Sequence, residues 1–355
     1  MRHQLKLAQV GSLTGQPLGG RHPEQPLIAL ADDSKQRSRS SRQAGGLMVK
    51  AASLVYRALA MALNGWIILD KPVGLGSTRA VSAVKRALRE AGEPKTKVGH
   101  GGTLDPLASG VLPIAIGEAT KLAGRMLDAT KAYDFTIRFG EETNSLDLEG
   151  AVVATSDARP APGAIEAVLP RFTGPIEQVP PAFSALKVDG ERAYDLARAG
   201  KEVELDARRV TILALSVVSA SPDEITLSAT VSKGTYIRSL ARDIAHALGT
   251  VGHVTMLRRT KAGPFTLEKA ISLDFLADAA KARTLDGAVL PLEAGLDDIP
   301  ALPVTPEEAQ LLRHGQRLRG NPATPGLYLA KDDHRPIALV EVSAGDVIVV
   351  RGFNL

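Results

Sequence analysis

A glycine-rich stretch, Gly-His-Gly-Gly-Thr-Leu-Asp-Pro at residues 99–106, carries an imidazole and a carboxylate five residues apart, at His100 and Asp105. Glycines let a backbone approach a ligand closely, and a carboxylate in such a loop could act as a nucleophile or as a general base. The stretch lacks the Gly-Lys-Ser/Thr ending of a P-loop, which argues against a nucleotide triphosphatase. Taken alone, it is also typical of an ordinary tight turn.

The composition excludes several classes of site. The chain of 355 residues contains no cysteine, which excludes disulfides, thiolate zinc sites and cysteine nucleophiles. Its seven histidines lack metal-ligand spacing, so we predict that it holds no metal. No run of eighteen uncharged apolar residues occurs, and we therefore expect no membrane-spanning helix.

The net charge of +4 is typical of a nucleic-acid binder, but the excess is local. Residues 1–50 hold eight lysines and arginines against three acidic residues, whereas residues 51–355 hold 35 against 36. An RNA-binding surface on the body must therefore come from basic residues clustered on one face. The first 47 residues show no period of 2 or 3.6, and we expect residues 1–63 to form a disordered basic extension. This tail could touch RNA, although a solvated extension is the simpler interpretation.

Ordered structure is expected from residue 64 onwards. Hydrophobic patterning predicts strands at 66–69, 111–116, 131–139, 209–219, 225–231 and 254–259. It predicts helices at 118–127, 163–169, 192–199 and 236–248, and another that Ser77 or Thr78 could cap and that buries Val81, Val84 and Leu88. Because helices and strands are interspersed irregularly, the predicted fold class is α+β, with a mixed, mostly antiparallel sheet core and flanking helices.

A boundary is expected near residue 291, where the chain becomes rich in Leu, Pro, Ala and Asp. Beyond it, a helix at 306–312 and strands at 327–330, 337–342 and 346–350 predict a small β-rich unit. We therefore divide the chain into the extension at 1–63, a main domain at 64–290 and a small C-terminal domain at 291–355.

Several motifs follow one another in a fixed order, and their number raises the specificity of the glycine-rich loop. They are Gly65–Pro72, Gly99–Pro113, Lys131-Ala132-Tyr133, Ser184–Lys187, Ser232–Arg238 and His253–Arg259. In order and spacing they resemble the tRNA pseudouridine-55 synthase family, the TruB family of pseudouridine synthases, strongly over residues 63–290 and weakly beyond. The resemblance implies a pseudouridine synthase catalytic domain followed by a PUA-like domain. It also implies an isomerase that needs no cofactor and that moves the uracil of one T-arm uridine in tRNA from an N1 to a C5 glycosidic bond.

The resemblance implies three catalytic residues. Asp105 is the essential carboxylate, acting either as nucleophile at C1′ or as the base that removes the 2′ hydrogen; the sequence does not decide between these. Tyr133 stacks on the flipped uracil and could help to remove the proton from C5. Arg238 pairs with Asp105, which would stabilise the carboxylate charge and fix its rotamer. Without the resemblance, Tyr133 would be a core tyrosine and Arg238 part of a surface ion pair.

Four further residues are assigned to substrate binding on the same grounds. Tyr236 forms a wall near the base, Leu257 an apolar wall against the uracil, and His100 fills the gap that the flipped base leaves. Lys71 contacts phosphate or supports the loop. The plain alternatives are core packing for Leu257 and a backbone hydrogen bond for His100. The segment 143–147 departs from the Thr-Asp-Thr type expected of the family, which puts its local loop bonding in doubt.

Two other functions compete with a stand-alone isomerase. One is a tRNA-binding folding helper, and the other is a synthase subunit directed by a guide RNA. Intact Asp105, Tyr133 and Arg238 favour the isomerase, and guide-dependent relatives usually carry a longer terminal RNA-binding domain, whereas this chain ends soon after Val350. We expect tRNA as the partner, no guide RNA, no membrane association, a monomer and a cytoplasmic location.

Overall fold

The computed structural model describes residues 62–188 and 190–355, so all but the last two residues of the predicted N-terminal extension lie outside the described residues. The strands are β1 (Gly65–Lys71), β2 (Val98–His100), β3 (Ser109–Ile116), β4 (Lys131–Phe139), β5 (Glu141–Thr143), β6 (Val152–Thr155), β7 (Gly174–Gln178), β8 (Lys187–Val188), β9 (Glu191–Arg192), β10 (Arg208–Ala220), β11 (Glu224–Val231), β12 (Gly252–Ala262), β13 (Phe265–Thr266), β14 (Ala301–Pro303), β15 (Gly326–Asp332), β16 (Arg335–Ser343) and β17 (Asp346–Gly352). The α-helices are α1 (Ser77–Ala91), α2 (Ala123–Asp128), α3 (Pro162–Val168), α4 (Ala193–Arg198), α5 (Ile237–Ala247), α6 (Leu273–Ala282) and α7 (Pro306–Arg313).

The main sheet has the order β1-β3-β12-β4-β11-β10-β7, with β2 also paired to β3 and β13 to β12. Its pairs are antiparallel except for β3 and β12, which run parallel where Arg258 and Arg259 lie opposite Ser109 and Gly110. The predicted α+β fold with a mostly antiparallel core is thereby confirmed. Gly110 has a φ of 100°, and a Cβ there would lie 2.2 Å from the carbonyl oxygen of Arg259. Only glycine allows this approach, which places the loop before β3 against β12.

Two hydrophobic cores share one face of the sheet. Helices α1 and α6 pack on the β1–β3 half through residues such as Val84, Ile114 and Ala280. Helices α3 and α5 pack on the β4–β11 half. Tyr133 on β4 and Leu257 on β12 are partly buried and contact both cores. The junction of the two cores therefore lies at two of the predicted site residues.

The C-terminal β domain packs on the other face of β1. Because strand side chains alternate, Trp66 and Ile68 point away from the helical cores and join a third cluster that includes Leu339 and Phe353. The Trp66 indole also donates a hydrogen bond to the carbonyl of Leu292 at 3.0 Å. The predicted boundary at residue 291 falls in this contact region and stays a prediction.

Most predicted elements are present, but the cap of α1 is not the predicted one. The N-cap is Gly76, and neither Ser77 nor Thr78 caps the helix. The Ser77 hydroxyl instead donates to the carbonyl of Leu104 and accepts from its N–H, both at 2.8 Å. The serine ties α1 to the glycine-rich loop, a contact across the fold that a local capping rule does not include.

Two helical segments also differ from prediction. The predicted helix at 118–127 is a 3₁₀ turn (Gly117–Leu122) followed by α2. The helical structure of α3 was expected to end before Pro170, but it continues through Pro170 as a 3₁₀ turn (Leu169–Phe172). Among the described residues, no helix is long and apolar enough to cross a membrane.

Candidate active site

The loop that carries Asp105 joins β2 to β3, and a buried arginine on β12 binds its backbone. Arg259 on β12 is 1% exposed, and its guanidinium donates to the carbonyls of Val111 at 2.7 Å and of Gly102 and Thr103 at 3.2 Å. Loop carbonyls thus surround this cation. The result is a loop fixed to the centre of the sheet, with the Asp105 side chain 41% exposed.

Lys71 supports the same loop from the end of β1. Its ammonium donates to the carbonyls of Pro72, Leu75 and Pro106 at 3.0, 2.6 and 3.3 Å, and the residue is fully buried. Burial lowers the pKa of Lys71 to about 8, with Asp105 opposing this shift and Arg259 adding to it. An ammonium enclosed by carbonyls fits the predicted role in loop support, whereas a phosphate contact would require it to be exposed.

Arg238, in the first turn of α5, joins two carboxylates. Its guanidinium forms an ion pair with Asp105 at 2.8 Å and lies 3.3 Å from Asp147, which is itself buried. The guanidinium also donates to the carbonyls of Ser145 at 2.8 Å and Phe183 at 3.0 Å. A planar guanidinium has several N–H donors in fixed directions, so it can contact both carboxylates at once. Buried Asp147 can therefore fix the position of Arg238, and Arg238 in turn that of the more exposed Asp105.

Asp147 is the residue that sequence reasoning missed. It lies in the segment 143–147 whose bonding was in doubt, and its carboxylate accepts from the Ser145 hydroxyl at 2.5 Å and from the N–H of Glu149 at 3.0 Å. The available signal was a carboxylate two residues after a serine, which is a common local turn. Nothing local pointed to a distant arginine.

A cavity of about 300 Å³ opens beside Asp105 at the junction of the two cores. Five predicted site residues line it together: Asp105, Tyr133, Tyr236, Arg238 and Leu257. Tyr133 is held in register by pairing with Arg259 on one side and Ala229 on the other. The cavity therefore has a carboxylate with a fixed cation, two tyrosines and an apolar wall, which suits a flat, polar ring such as a pyrimidine.

Lys131 also lines this cavity, and sequence reasoning gave it no role beyond its motif. The residue is buried, and its ammonium donates to the carbonyls of Leu127 at 2.6 Å and Ala129 at 2.7 Å. Burial, together with Arg259 and Lys233 and against Asp128, lowers the pKa of Lys131 to about 8. These bonds fix the turn between α2 and the strand that carries Tyr133.

His100 lies outside the smaller cavity, in an adjoining groove of about 640 Å³ that Asp105 and Arg238 also line. Its Nδ1 is buried without a hydrogen-bond partner in the described residues. Burial, with the nearby charge of Arg259, lowers the pKa of His100, so the imidazole is neutral at neutral pH. The groove therefore offers an uncharged flat ring next to the cavity.

Three basic residues besides Arg238 line this groove: Arg79, Lys187 and Arg192, each from a different element. Three carboxylates, those of Asp105, Asp147 and Glu149, line it as well. The groove runs from the glycine-rich loop at residues 99–106 to the insertion between β7 and β10. The sequence alone could not show that these basic residues share one groove, because Arg79 lies more than a hundred residues before Lys187 and Arg192.

Comparison with known proteins identifies the family. The model for the TruB family pseudouridylate synthase (N terminal domain) matches residues 85–237, and that for the tRNA pseudouridylate synthase B C-terminal domain matches residues 238–297. The tRNA pseudouridine synthase B of Novosphingobium aromaticivorans is 63% identical over 298 residues, covering 82% of this chain and 98% of that protein. The chain belongs to the TruB family of pseudouridine synthases. A TruB-family protein of Zymomonas mobilis, also a tRNA pseudouridine synthase B, is 59% identical over 82% of this chain and 97% of its own.

Solved structures agree with this membership of the TruB family. An H/ACA RNP bound to a substrate RNA containing 2′-deoxyuridine is similar with a TM-score of 0.63 and 26% identity, over 82% of this chain and 85% of the other. A Cbf5–Nop10–Gar1 complex gives the same TM-score at 27% identity, over 82% and 84% of the chains. The predicted family and fold are confirmed, and the protein is an isomerase that forms pseudouridine in tRNA.

Proposed function

We propose that the enzyme converts the uridine at position 55, in the T arm of tRNA, to pseudouridine, with Asp105 as the reacting carboxylate. The observation that carries this proposal is the Arg238 guanidinium held between Asp105 and Asp147 at the mouth of a cavity with aromatic and apolar walls. A paired or stacked uridine must leave its helix to reach such a cavity. Arg79, Lys187 and Arg192 in the adjoining groove would contact the flanking phosphates.

Two routes are consistent with Asp105. As a nucleophile, the carboxylate bonds to C1′ while the C1′–N1 bond breaks and its electron pair stays on the uracil. As a base, the carboxylate takes the 2′ hydrogen while the same bond breaks, leaving a glycal. In both routes the uracil rotates and its C5 bonds to C1′. In the first route the bond between Asp105 and C1′ breaks and its electron pair returns to the carboxylate, whereas in the second Asp105 gives the proton back to C2′. The proton on C5 then leaves and N1 gains one, so the reaction is an isomerisation.

The other predicted residues have supporting roles in this proposal. Tyr133 stacks on the uracil and is placed to help remove the C5 proton, while Tyr236 and Leu257 confine the ring as it rotates. His100, neutral in the groove, fills the gap left by the flipped base. Lys71 supports the loop. Arg238 keeps Asp105 in one orientation through the whole reaction.

We further propose that the enzyme acts alone, as a cytoplasmic monomer without a guide RNA. The support is that two proteins named tRNA pseudouridine synthase B match at 59–63% identity, whereas the H/ACA RNP and the Cbf5–Nop10–Gar1 complex match at 26–27%. The domain division at residue 291, with a PUA-like C-terminal part, belongs to the same proposal. The C-terminal β domain packs on the face of β1 away from the helical cores, and none of its described residues lines the groove.

The test is to incubate an unmodified tRNA transcript with the wild-type protein and with Asp105→Asn, then to map pseudouridine chemically. We expect product at position 55 with the wild type alone. A transcript with cytidine at this position should yield none, which controls for site choice. Product with Asp105→Asn, or modification only at another position, would overturn the proposal. If Asp105→Asn still binds tRNA and speeds its refolding, a folding activity coexists with the chemistry.

A further inference from the structure

The insertion at residues 179–207 leaves and rejoins the main sheet at one cross-strand residue pair. Its flanking residues, Gln178 at the end of β7 and Arg208 at the start of β10, are cross-strand partners. Both side chains contact Tyr236, the residue just before α5. This residue pair at the edge of the sheet thus contacts Tyr236, which lines the cavity.

Gln178 holds the backbone of Tyr236. Its side chain is 1% exposed, its Nε2 donates to the carbonyl of Tyr236 at 3.1 Å, and its Oε1 accepts from the N–H of the same residue at 2.8 Å. A primary amide is the side chain that can satisfy both groups of one residue. The pair of bonds fixes the direction in which the Tyr236 peptide faces.

Arg208 holds the ring. Its guanidinium carbon lies 4.6 Å from the centroid of the Tyr236 ring, in cation–π geometry. The same guanidinium donates to the carbonyl of Gly234, two residues earlier in the loop. The tyrosine is therefore restrained at its backbone and at its ring by two neighbours in the sheet.

The adjoining turn of α5 is tied to the same insertion. The Ser239 hydroxyl donates to the carbonyl of Val179 at 2.8 Å, and Arg238 donates to the carbonyl of Phe183 at 3.0 Å. Tyr236 and Arg238 are two residues apart, so a shift of the first changes where the second meets Asp105. In the described part of the chain, neither Gln178 nor Arg208 lines the cavity itself.

We propose that Gln178 and Arg208 are positioning residues for pseudouridine formation. They fix Tyr236 as a wall of the cavity and thereby set Arg238 against Asp105. The inference rests on the proposed function, because the position of Tyr236 matters to the rate only if the uracil occupies this cavity. It predicts that both residues act on the chemical step while leaving tRNA binding largely intact.

The test measures single-turnover pseudouridine formation, with the enzyme in excess over a tRNA transcript, for Gln178→Ala and Arg208→Ala. We expect each rate to fall about 10- to 100-fold, because small displacements of a reacting group cost this much. The tRNA dissociation constant, measured by filter binding, should stay within about threefold, since neither side chain meets the cavity. The double variant should be about as slow as the slower single variant, because both changes release one tyrosine.

A matched control exists in the same insertion. The guanidinium of Arg198 lies 4.5 Å from the ring centroid of Tyr194, an almost identical pair away from Tyr236. Arg198→Ala removes the same kind of contact and should keep the wild-type single-turnover rate. Arg208→Lys, which keeps the charge without the planar stacking group, should recover part of the rate. If Gln178→Ala fails to fold, Arg208→Ala decides, because Arg208 is only half-buried.

Three results would overturn the positioning role. They are rates within twofold of wild type for both variants, weaker tRNA binding with an unchanged rate, and an equal loss in Arg198→Ala. Asp105→Asn, assayed in parallel, separates this inference from the proposed function. If Asp105→Asn forms product, the proposed function fails; if it does not, while Arg208→Ala and Gln178→Ala react at the wild-type rate, the positioning role alone fails.

Discussion

Arg238 and Arg259 are both buried beside the loop that carries Asp105, but they have different partners. Arg238 meets two carboxylates, those of Asp105 and Asp147, in addition to the backbone carbonyls of Ser145 and Phe183. Arg259 meets the carbonyls of Gly102, Thr103 and Val111. A cation bound to carbonyls fixes a backbone, whereas one bound to a partly exposed carboxylate orients a side chain, here that of the proposed reacting residue Asp105. Arg259 thus supports the backbone of the loop, and Arg238 balances the charge of its carboxylate, Asp105.

The largest expected effect comes from removing Arg238. Arg238→Ala should lower the single-turnover rate about 1,000-fold, because a fixed charge next to the reacting group is lost. It should also lower the free energy of unfolding by about 3 kcal/mol, since buried Asp147 loses its cation. Rapid-quench assays and urea titration measure the two. Arg238→Lys is the control: a single ammonium cannot span both carboxylates, so most of the rate loss should remain.

Arg259→Ala should affect stability more than rate and so distinguish the role of Arg259 from that of Arg238. Removing it leaves three carbonyls without this donor and should lower the free energy of unfolding by about 3 kcal/mol. The rate below the melting temperature should fall by no more than about tenfold, because Lys71 and Ser77 still hold the loop. A rate loss as large as that of Arg238→Ala would contradict the division of roles.

Lys71 sharpens the comparison, because it is a loop-supporting cation that can lose its proton. Its pKa is about 8 in the folded protein against 10.5 for an ordinary lysine. Between these values the unfolded chain binds more protons, so the free energy of unfolding should rise with pH over this window. The free energy of unfolding of the wild type, minus that of Lys71→Met, should therefore increase by about 2 kcal/mol from pH 7.5 to pH 9.5. Urea titrations at the two pH values measure it, and an unchanged difference would contradict the shifted pKa.

The secondary structure was largely predictable, because core-facing residues recur at the period of each element. Strands β3, β4 and β12 and helix α5 all follow such patterns. The site was predictable only through the family resemblance, since Tyr133 and Leu257 look like ordinary strand residues. Asp147 was missed because its partner, Arg238, lies far along the chain. Contacts of this kind depend on how sheets and loops come together, which local patterns do not contain.

The failed cap prediction has the same cause. Ser77 has the right residue type for a helix cap, yet it is the first residue of α1 and its hydroxyl bonds to Leu104 in the glycine-rich loop. The Gln178 and Arg208 contacts to Tyr236 likewise join segments that are distant in sequence. Both sets of contacts are long-range and lie at the site, which is why local rules did not predict them.

The most direct test compares the two carboxylates that Arg238 joins. Single-turnover pseudouridine formation in a tRNA transcript would be measured for Asp105→Asn and Asp147→Asn, with tRNA binding measured in parallel. We predict no product with Asp105→Asn and a rate about 100-fold below wild type with Asp147→Asn, because the second carboxylate only supports the arginine. Both variants should bind tRNA. Product from Asp105→Asn at a rate equal to or above that of Asp147→Asn would contradict the assignment of Asp105 as the reacting carboxylate.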